Sequence, residues 1–265
     1  MVELSAKPSS LKGTQTLARG LEILQIVASD IKDAGEIANA LGIPRSTVHR
    51  MLSSLVQLGY LYNLPNHGYL LGPELVFLGH KAVEQQPLAL IAEPHLKALA
   101  SQTRDTVHLG VPDGVEVFYL SKINGTQGGL EMRSKVGQRM PMAFTGLGKA
   151  LLIGLPPELW CDYYTRCCSL QAGHPERVAP RPWKEVEADL ARSRERGFAL
   201  DMEENEIGIR CVAAPIFDIS RKLVAAVSVA SAVPFMPLER LEKLAPLVRE
   251  ASEAISQDIG RRDID

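Results

Sequence analysis

Cysteine, long apolar runs and, over one stretch, acid are what this sequence has little of. The four cysteines among 265 residues, Cys161, Cys167, Cys168 and Cys211, include an adjacent pair and no C-x-x-C spacing. That excludes a disulfide framework and a zinc finger and leaves reduced thiols. No apolar run reaches the roughly 18 residues that a membrane span needs. Met1 to Thr14 has no charged stretch followed by an apolar one, so no export signal is read there and a cytoplasmic chain without a membrane partner is expected. Biased tracts are missing too: with 46% hydrophobic and 23% charged residues the composition is that of a folded chain.

The common catalytic signatures are also absent. There is no G-x-S-x-G, no H-E-x-x-H and no G-x-G-x-x-G after a strand. Thr145-Gly146-Leu147-Gly148-Lys149 looks like part of a phosphate loop, but it lacks that motif's first glycine and the Ser/Thr after its lysine. Cys211 has no histidine near it in sequence, and a small buried thiol is the simpler reading. The six histidines, His49, His67, His80, His95, His108 and His174, show no metal-ligand spacing. No enzyme activity, metal or cofactor is expected.

What is present starts with length, which at 265 residues predicts two domains. The formal net charge of −2 gives no general attraction to nucleic acid, but the local balance does. Between Glu36 and Glu74 there is no Asp or Glu, while Arg45, His49, Arg50 and His67 fall inside that window. Such a stretch can face phosphate without repulsion.

The same region carries a pattern of short helices. Leu17, Leu21, Leu24 and Val27 recur at helical spacing from Thr14 to Ala28, with Thr14 or Thr16 as N-cap, and predict one helix. Ala34 to Leu41 predicts a second, burying Ile37, Ala38 and Leu41 and ending at Gly42. Pro44 to Leu58 predicts a third, with Val48, Met51, Leu52 and Leu55 inward and Ser46, His49, Arg50, Ser53 and Gln57 outward. Arg45, Ser46 and Thr47 surround its free N-terminal N–H groups, which suit a phosphate or base edge. Tyr60 to Asn63, a turn from Leu64 to Gly68, and Tyr69 to Leu71 predict a hairpin. Three helices and a hairpin make a winged helix-turn-helix.

Gly42-Ile43-Pro44-Arg45-Ser46-Thr47-Val48-His49-Arg50-Met51-Leu52, with Leu58-Gly59-Tyr60 and Tyr69-Leu70-Leu71-Gly72, resembles the DNA-binding domain of IclR-type transcriptional regulators. The expected DNA-binding residues are Arg45, Ser46, Thr47, His49, Arg50, Ser53 and His67.

A helix over Pro73 to Gln86, closed by Pro87, is the expected linker, and a helical linker transmits orientation. The predicted boundaries are a DNA-binding domain at 12–73, a linker at 74–87 and a larger domain at 88–260. In the larger domain the pattern predicts helices at Leu88–Thr103, Gly146–Leu155, Pro157–Cys167, Trp183–Gly197 and Pro237–Gly260. Strands are predicted at Thr106–Val111, Val115–Ile123, Leu130–Val136, Ile209–Asp218 and Leu223–Ala232. Antiparallel strands with helices on their faces give an α+β domain.

Glycines at Thr145-Gly146-Leu147-Gly148, opening a helix, either let a carboxylate approach free N–H groups or only allow tight packing. Three stretches extend the resemblance to the GAF-like effector-binding domain of the same family: Gly137 to Ala150, Arg196 to Cys211 and Ala225 to Val229. The resemblance implies an effector pocket lined by Gly146, Leu147, Asp201, Ile209, Cys211 and Ser228. The family's S-x-S strand is broken here, with Ala230 in place of the second serine and Ser231 in place of the next glycine. The implied function is a ligand-responsive regulator, by the family's commoner habit a repressor, of a catabolic operon. Its expected partners are a double-stranded operator, a small carboxylate effector and further copies of itself in a homodimer or homotetramer. Thr106 to Gly110 also resembles family members that sense sugar acids, with aromatic and keto acids as alternatives. Two other readings stand beside this one: a small-molecule-binding enzyme with an accessory winged helix, and a winged helix that binds only protein.

Overall fold

The computed structural model of the chain describes residues 14–84, 87–126, 133–172 and 178–262. They fall into two compact units that divide between residues 85 and 86.

The first unit runs α1 (Gln15–Ala28), α2 (Ala34–Leu41), α3 (Arg45–Gln57), β1 (Leu61–Leu64), β2 (Gly68–Leu71) and α4 (Pro73–Glu84). Asp33 caps α2, its Oδ1 accepting from the Gly35 N–H at 2.7 Å and the Glu36 N–H at 3.1 Å. Gly42 ends that helix in the left-handed region, φ 63°. The strands pair antiparallel from Leu61↔Leu71 to Leu64↔Gly68. The Tyr69 N–H donates to Lys32 O at 3.0 Å, docking the hairpin on the loop before α2. Gly68 permits that approach: its φ is 72°, and a Cβ there would lie 2.5 Å from Lys32 O.

The core of this unit corrects the expected stripe on α1. Ile23, Ile26 and Val27 are buried against Ile37, Ala38, Val48, Leu52 and Leu61, whereas Leu17 and Leu21 are 65% and 54% exposed. Ile26 stands nine residues after Leu17, half a turn around the helix. Apolar side chains therefore ring α1, and α2, α3 and β2 cover only the isoleucine side. Thr14 stands at the N-cap but makes no side-chain capping bond.

The second unit runs α5 (Pro87–Thr103), β3 (Thr106–Asp113), β4 (Glu116–Ile123), β5 (Arg139–Pro141), α6 (Gly146–Gly154), α7 (Trp160–Gln171), α8 (Trp183–Arg196), β6 (Ala199–Met202), β7 (Ile209–Phe217), β8 (Leu223–Ala232) and α9 (Leu238–Arg262). Its strands form one antiparallel sheet in the order β5-β4-β3-β8-β7-β6. Helices α5 and α9 pack together on β3, β7 and β8, while α6 lies across the same strands with α8 against it. The Arg240 guanidinium ties α9 to the α5–β3 turn, donating to Asp105 Oδ2 at 2.6 Å and Oδ1 at 3.2 Å and to Thr103 O at 2.9 Å. No helix among the described residues is long and apolar enough to cross a membrane.

Three expectations are corrected here. Of the strand expected at Leu130–Val136, residues 130–132 lie outside the described residues and 133–136 form a bend and turn. The edge strand is β5 instead. Gly137, at φ 87°, first turns the chain back, donating its N–H to Tyr119 O at 2.9 Å, and pairing with β4 follows. Strand β6 has no counterpart among the expected strands. Pro87 opens α5 rather than closing α4, at a first-turn position where a missing N–H costs nothing.

Candidate functional site

Two surfaces gather the chemistry. On the first unit, Val48 and Leu52 anchor α3 in the core, which leaves Arg45, Ser46, His49, Arg50 and Ser53 exposed and Thr47 half-buried. Glycine at 35 makes room for Arg45, since a Cβ there would lie 2.8 Å from Arg45 Nη2. That guanidinium therefore lies over the start of α2 as well as beside α3. His67 is exposed in the β1–β2 turn, its Nδ1 3.1 Å from Pro65 O.

On the second unit, a cavity of about 480 Å³ opens between α6 and the sheet, and Gly146, Leu147, Asp201, Ile209, Cys211 and Ser228 all line it. Ala230 lines it as well, so the serine missing from the S-x-S pattern is missing from the wall. Ser231 does not replace it, because successive strand residues face opposite sides of the sheet.

Packing accounts for the glycines of α6. A Cβ on Gly146 would lie 2.6 Å from Cys211 Sγ and 3.4 Å from Asp201 Cβ, and one on Gly148 would strike the Met142 backbone. Thr145 Oγ1 accepts from the Gly148 N–H at 2.9 Å, and Thr145 O takes the Lys149 N–H. Gly146 and Leu147, whose N–H groups a helix start leaves without an intrahelical acceptor, line the cavity.

The rest of the lining has no counterpart among the expected site residues. His108, the cross-strand neighbour of Ser228, lies there with Tyr119, Ser134, Gln138 and Met140, and Arg133, Val178, Asn205, Glu206 and Ile207 line the cavity as well. His108 Nε2 is 2.8 Å from Ser134 Oγ, and the ring meets Tyr119 edge-on at 5.4 Å. A signal was available, because a histidine between Val107 and Leu109 in an otherwise apolar buried strand needs a polar partner.

Burial sets the protonation of these groups. It depresses His108 to about 3, helped by the nearby Lys122 charge, so the imidazole is neutral. It raises the Tyr119 phenol well above its ordinary value, with Cys211 and Asp201 adding to the effect. It pushes the Cys211 thiol to about 12, Asp201 again adding, which removes Cys211 as a nucleophile at neutral pH. Burial also lifts Asp201 to about 6, against the opposing pull of Lys149 and of the Glu204 N–H, which donates to Asp201 Oδ1 at 2.8 Å. Among the described residues no three His, Cys, Asp or Glu side chains are grouped to hold a metal ion.

Comparison with known proteins covers both units. Residues 16–65 match the IclR helix-turn-helix domain, and residues 80–257 match the bacterial transcriptional regulator IclR C-terminal domain. The HTH-type transcriptional regulator XynR of Escherichia coli is 32% identical over 250 residues, covering 93% of this chain and 97% of its own. The transcriptional repressor IclR of the same organism is 30% identical over 251 residues, covering 93% and 90%. The crystal structure of Thermotoga maritima IclR superposes with a TM-score of 0.74 at 28% identity, covering 92% of this chain and 98% of its own. These relatives are regulators and not enzymes. With both of its units matched, the chain belongs to the IclR family of bacterial transcriptional regulators and is a DNA-binding regulator.

Proposed function

We propose that this regulator is a repressor of a catabolic operon, that it reads its operator through the exposed face of α3, and that a small hydroxylated carboxylate, a sugar acid or 2-keto sugar acid, controls it. Arg50, His49, Ser46 and Ser53 face bases, Arg45 and Thr47 meet phosphate at the helix start, and His67 reaches the backbone from the wing. The relatives named as repressors support the sign. A homodimer or homotetramer matches a two-fold operator. Leu17 and Leu21 on α1, with Val76 and Phe77 on α4, are exposed apolar side chains that a second copy would cover.

The ligand class rests on one observation: apart from Arg133 and Glu206, which pair with each other at 3.3 Å, the cavity is lined by uncharged hydrogen-bonding groups around a single buried acid. His108 is neutral, Tyr119 is protonated, and Ser134, Gln138 and Ser228 add further donors and acceptors. These groups match hydroxyls. Asp201 accepts from a ligand hydroxyl, and the Gly146 and Leu147 N–H groups with the α6 dipole take the carboxylate. Leu147, Ile209 and Cys211 supply the apolar wall.

Genomic fragments captured by the full chain give the operator. A thermal-shift comparison of sugar acids, keto acids and aromatic acids tests the ligand, since a compound selective for the native state raises the melting temperature. A sugar acid should do so, and Asp201→Ala should abolish the shift. Hits confined to aromatic acids would refute the ligand class.

A further inference from the structure

Lys149 lies behind the cavity, not in it. It belongs to α6, three residues after the Gly146 wall position, and it has no solvent exposure. Its Nζ donates to Asp189 Oδ2 of α8 at 2.9 Å and to Glu204 Oε1 at 2.7 Å. The same Glu204 oxygen takes Arg181 Nη1 at 3.3 Å. Burial alone would depress the lysine, but the surrounding acids hold it above its ordinary value and charged. Stability does not require such a site, because well-packed apolar side chains often serve as well as a buried ion pair. What an ion pair adds is a fixed position for the carboxylate it holds.

That carboxylate sits on a segment whose other ties gather at its two ends and rim: Glu203 accepts from the Gly208 N–H at 3.0 Å and from Arg210 Nη2 at 3.3 Å, Glu206 O accepts from the Ile209 N–H at 3.1 Å, and Glu206 pairs with the exposed Arg133 at 3.3 Å. Residues 203–208 contain no helix or strand. The segment starts at Glu203 with φ 70°, a left-handed conformation costly for a residue with a side chain, and ends at Gly208 with φ 86°. Within it the Glu204 and Asn205 N–H groups donate to Asp201 Oδ1 at 2.8 and 3.4 Å. Asn205, Glu206 and Ile207 of the same segment form part of the cavity wall.

We infer that Lys149 is a positioning residue for the cavity: by holding Glu204 it fixes segment 203–206, so that two backbone N–H groups clamp the Asp201 carboxyl at the wall. This rests on the reading of the cavity as a ligand site. It adds that the wall is set from behind, by a charge the ligand never touches.

Hydrogen exchange of the ligand-free full chain, followed by mass spectrometry, tests it. The double variant Lys149→Met, Asp189→Asn removes one positive and one negative charge and leaves the Arg181–Glu204 pair. Peptides covering 201–208 should exchange at least about tenfold faster than in the parent chain, with β3, β7 and β8 unchanged. Glu204→Gln, which keeps the Lys149–Asp189 pair, should loosen the same peptides and decides the matter if the double variant does not fold. Unchanged protection of 201–208 in a folded variant would overturn the inference. So would an increase spread evenly over the sheet, which is what a merely structural lysine gives. Because no ligand is used, failure of every sugar acid to bind would refute the ligand class without touching this result.

Discussion

The two units display their chemistry in opposite ways. In the first, the DNA-reading candidates on α3 are exposed, and the residues that hold the fold, Val48, Leu52 and their neighbours, lie on the other side of the same helix. In the second, the candidate ligand groups are themselves part of the interior: Asp201, His108, Cys211 and Ser228 are buried, hydrogen-bonded or shifted in protonation. The first unit should therefore lose function without losing stability. In the second, the two should be hard to separate.

The largest effect expected of a single change is in the second unit. Arg240→Met would leave Asp105, whose side chain is fully buried, without its bidentate partner. Removing one member of a buried pair costs about 3–5 kcal/mol. Chemical denaturation should show that loss, and a loss below about 1 kcal/mol would mean that Asp105 finds another partner or water.

A somewhat smaller effect should depend on pH. Burial raises Asp201 from 3.8 to about 6, so ionising it in the folded chain is unfavourable. Its contribution to stability is full below about pH 4 and falls as pH rises through 6, by about 2–3 kcal/mol. Asp201→Asn cannot ionise and still offers an oxygen to the Glu204 N–H. The stability of the variant relative to the parent should rise between pH 4 and pH 7 by that amount. A difference independent of pH would contradict a raised Asp201.

The smallest stability effect belongs to the first unit. Arg50→Ala should change folding stability by less than about 0.5 kcal/mol, as surface substitutions do. It should cost about 1–3 kcal/mol of operator affinity if the guanidinium reads a base. A uniform loss on every DNA sequence in gel-shift titrations at fixed salt would assign it to phosphate instead.

The same contrast explains what could be read from the sequence. Local signals carried the first unit: Gly42 and Pro44 bracket a turn and Val48 keeps helical spacing, each within a few residues of what it acts on. Even there the buried side of α1 is legible only in part: Val27 and Leu24 pack into the core as expected, but apolar side chains ring that helix and only tertiary contacts choose Ile23 and Ile26 over Leu17 and Leu21. In the second unit the residues carried over by resemblance, Gly146 to Ser228, fall on one cavity. His108, Tyr119 and Lys149 went unassigned because their roles depend on register and on partners far along the chain. His108 meets Ser134 26 residues away, and Lys149 meets Glu204 55 residues away. Strand β5 was misplaced for a related reason, since it is fixed by pairing with Glu116–Phe118 rather than by any pattern of its own.

That the buried cavity governs the exposed helix face is tested most directly by the affinity of the full chain for its captured operator, titrated with and without a saturating sugar acid. The proposed function predicts a change of about 5- to 150-fold, absent in Asp201→Ala, whose ligand-free affinity should equal that of the parent. A sugar acid that raises the melting temperature of the parent chain but leaves its operator affinity the same would contradict it.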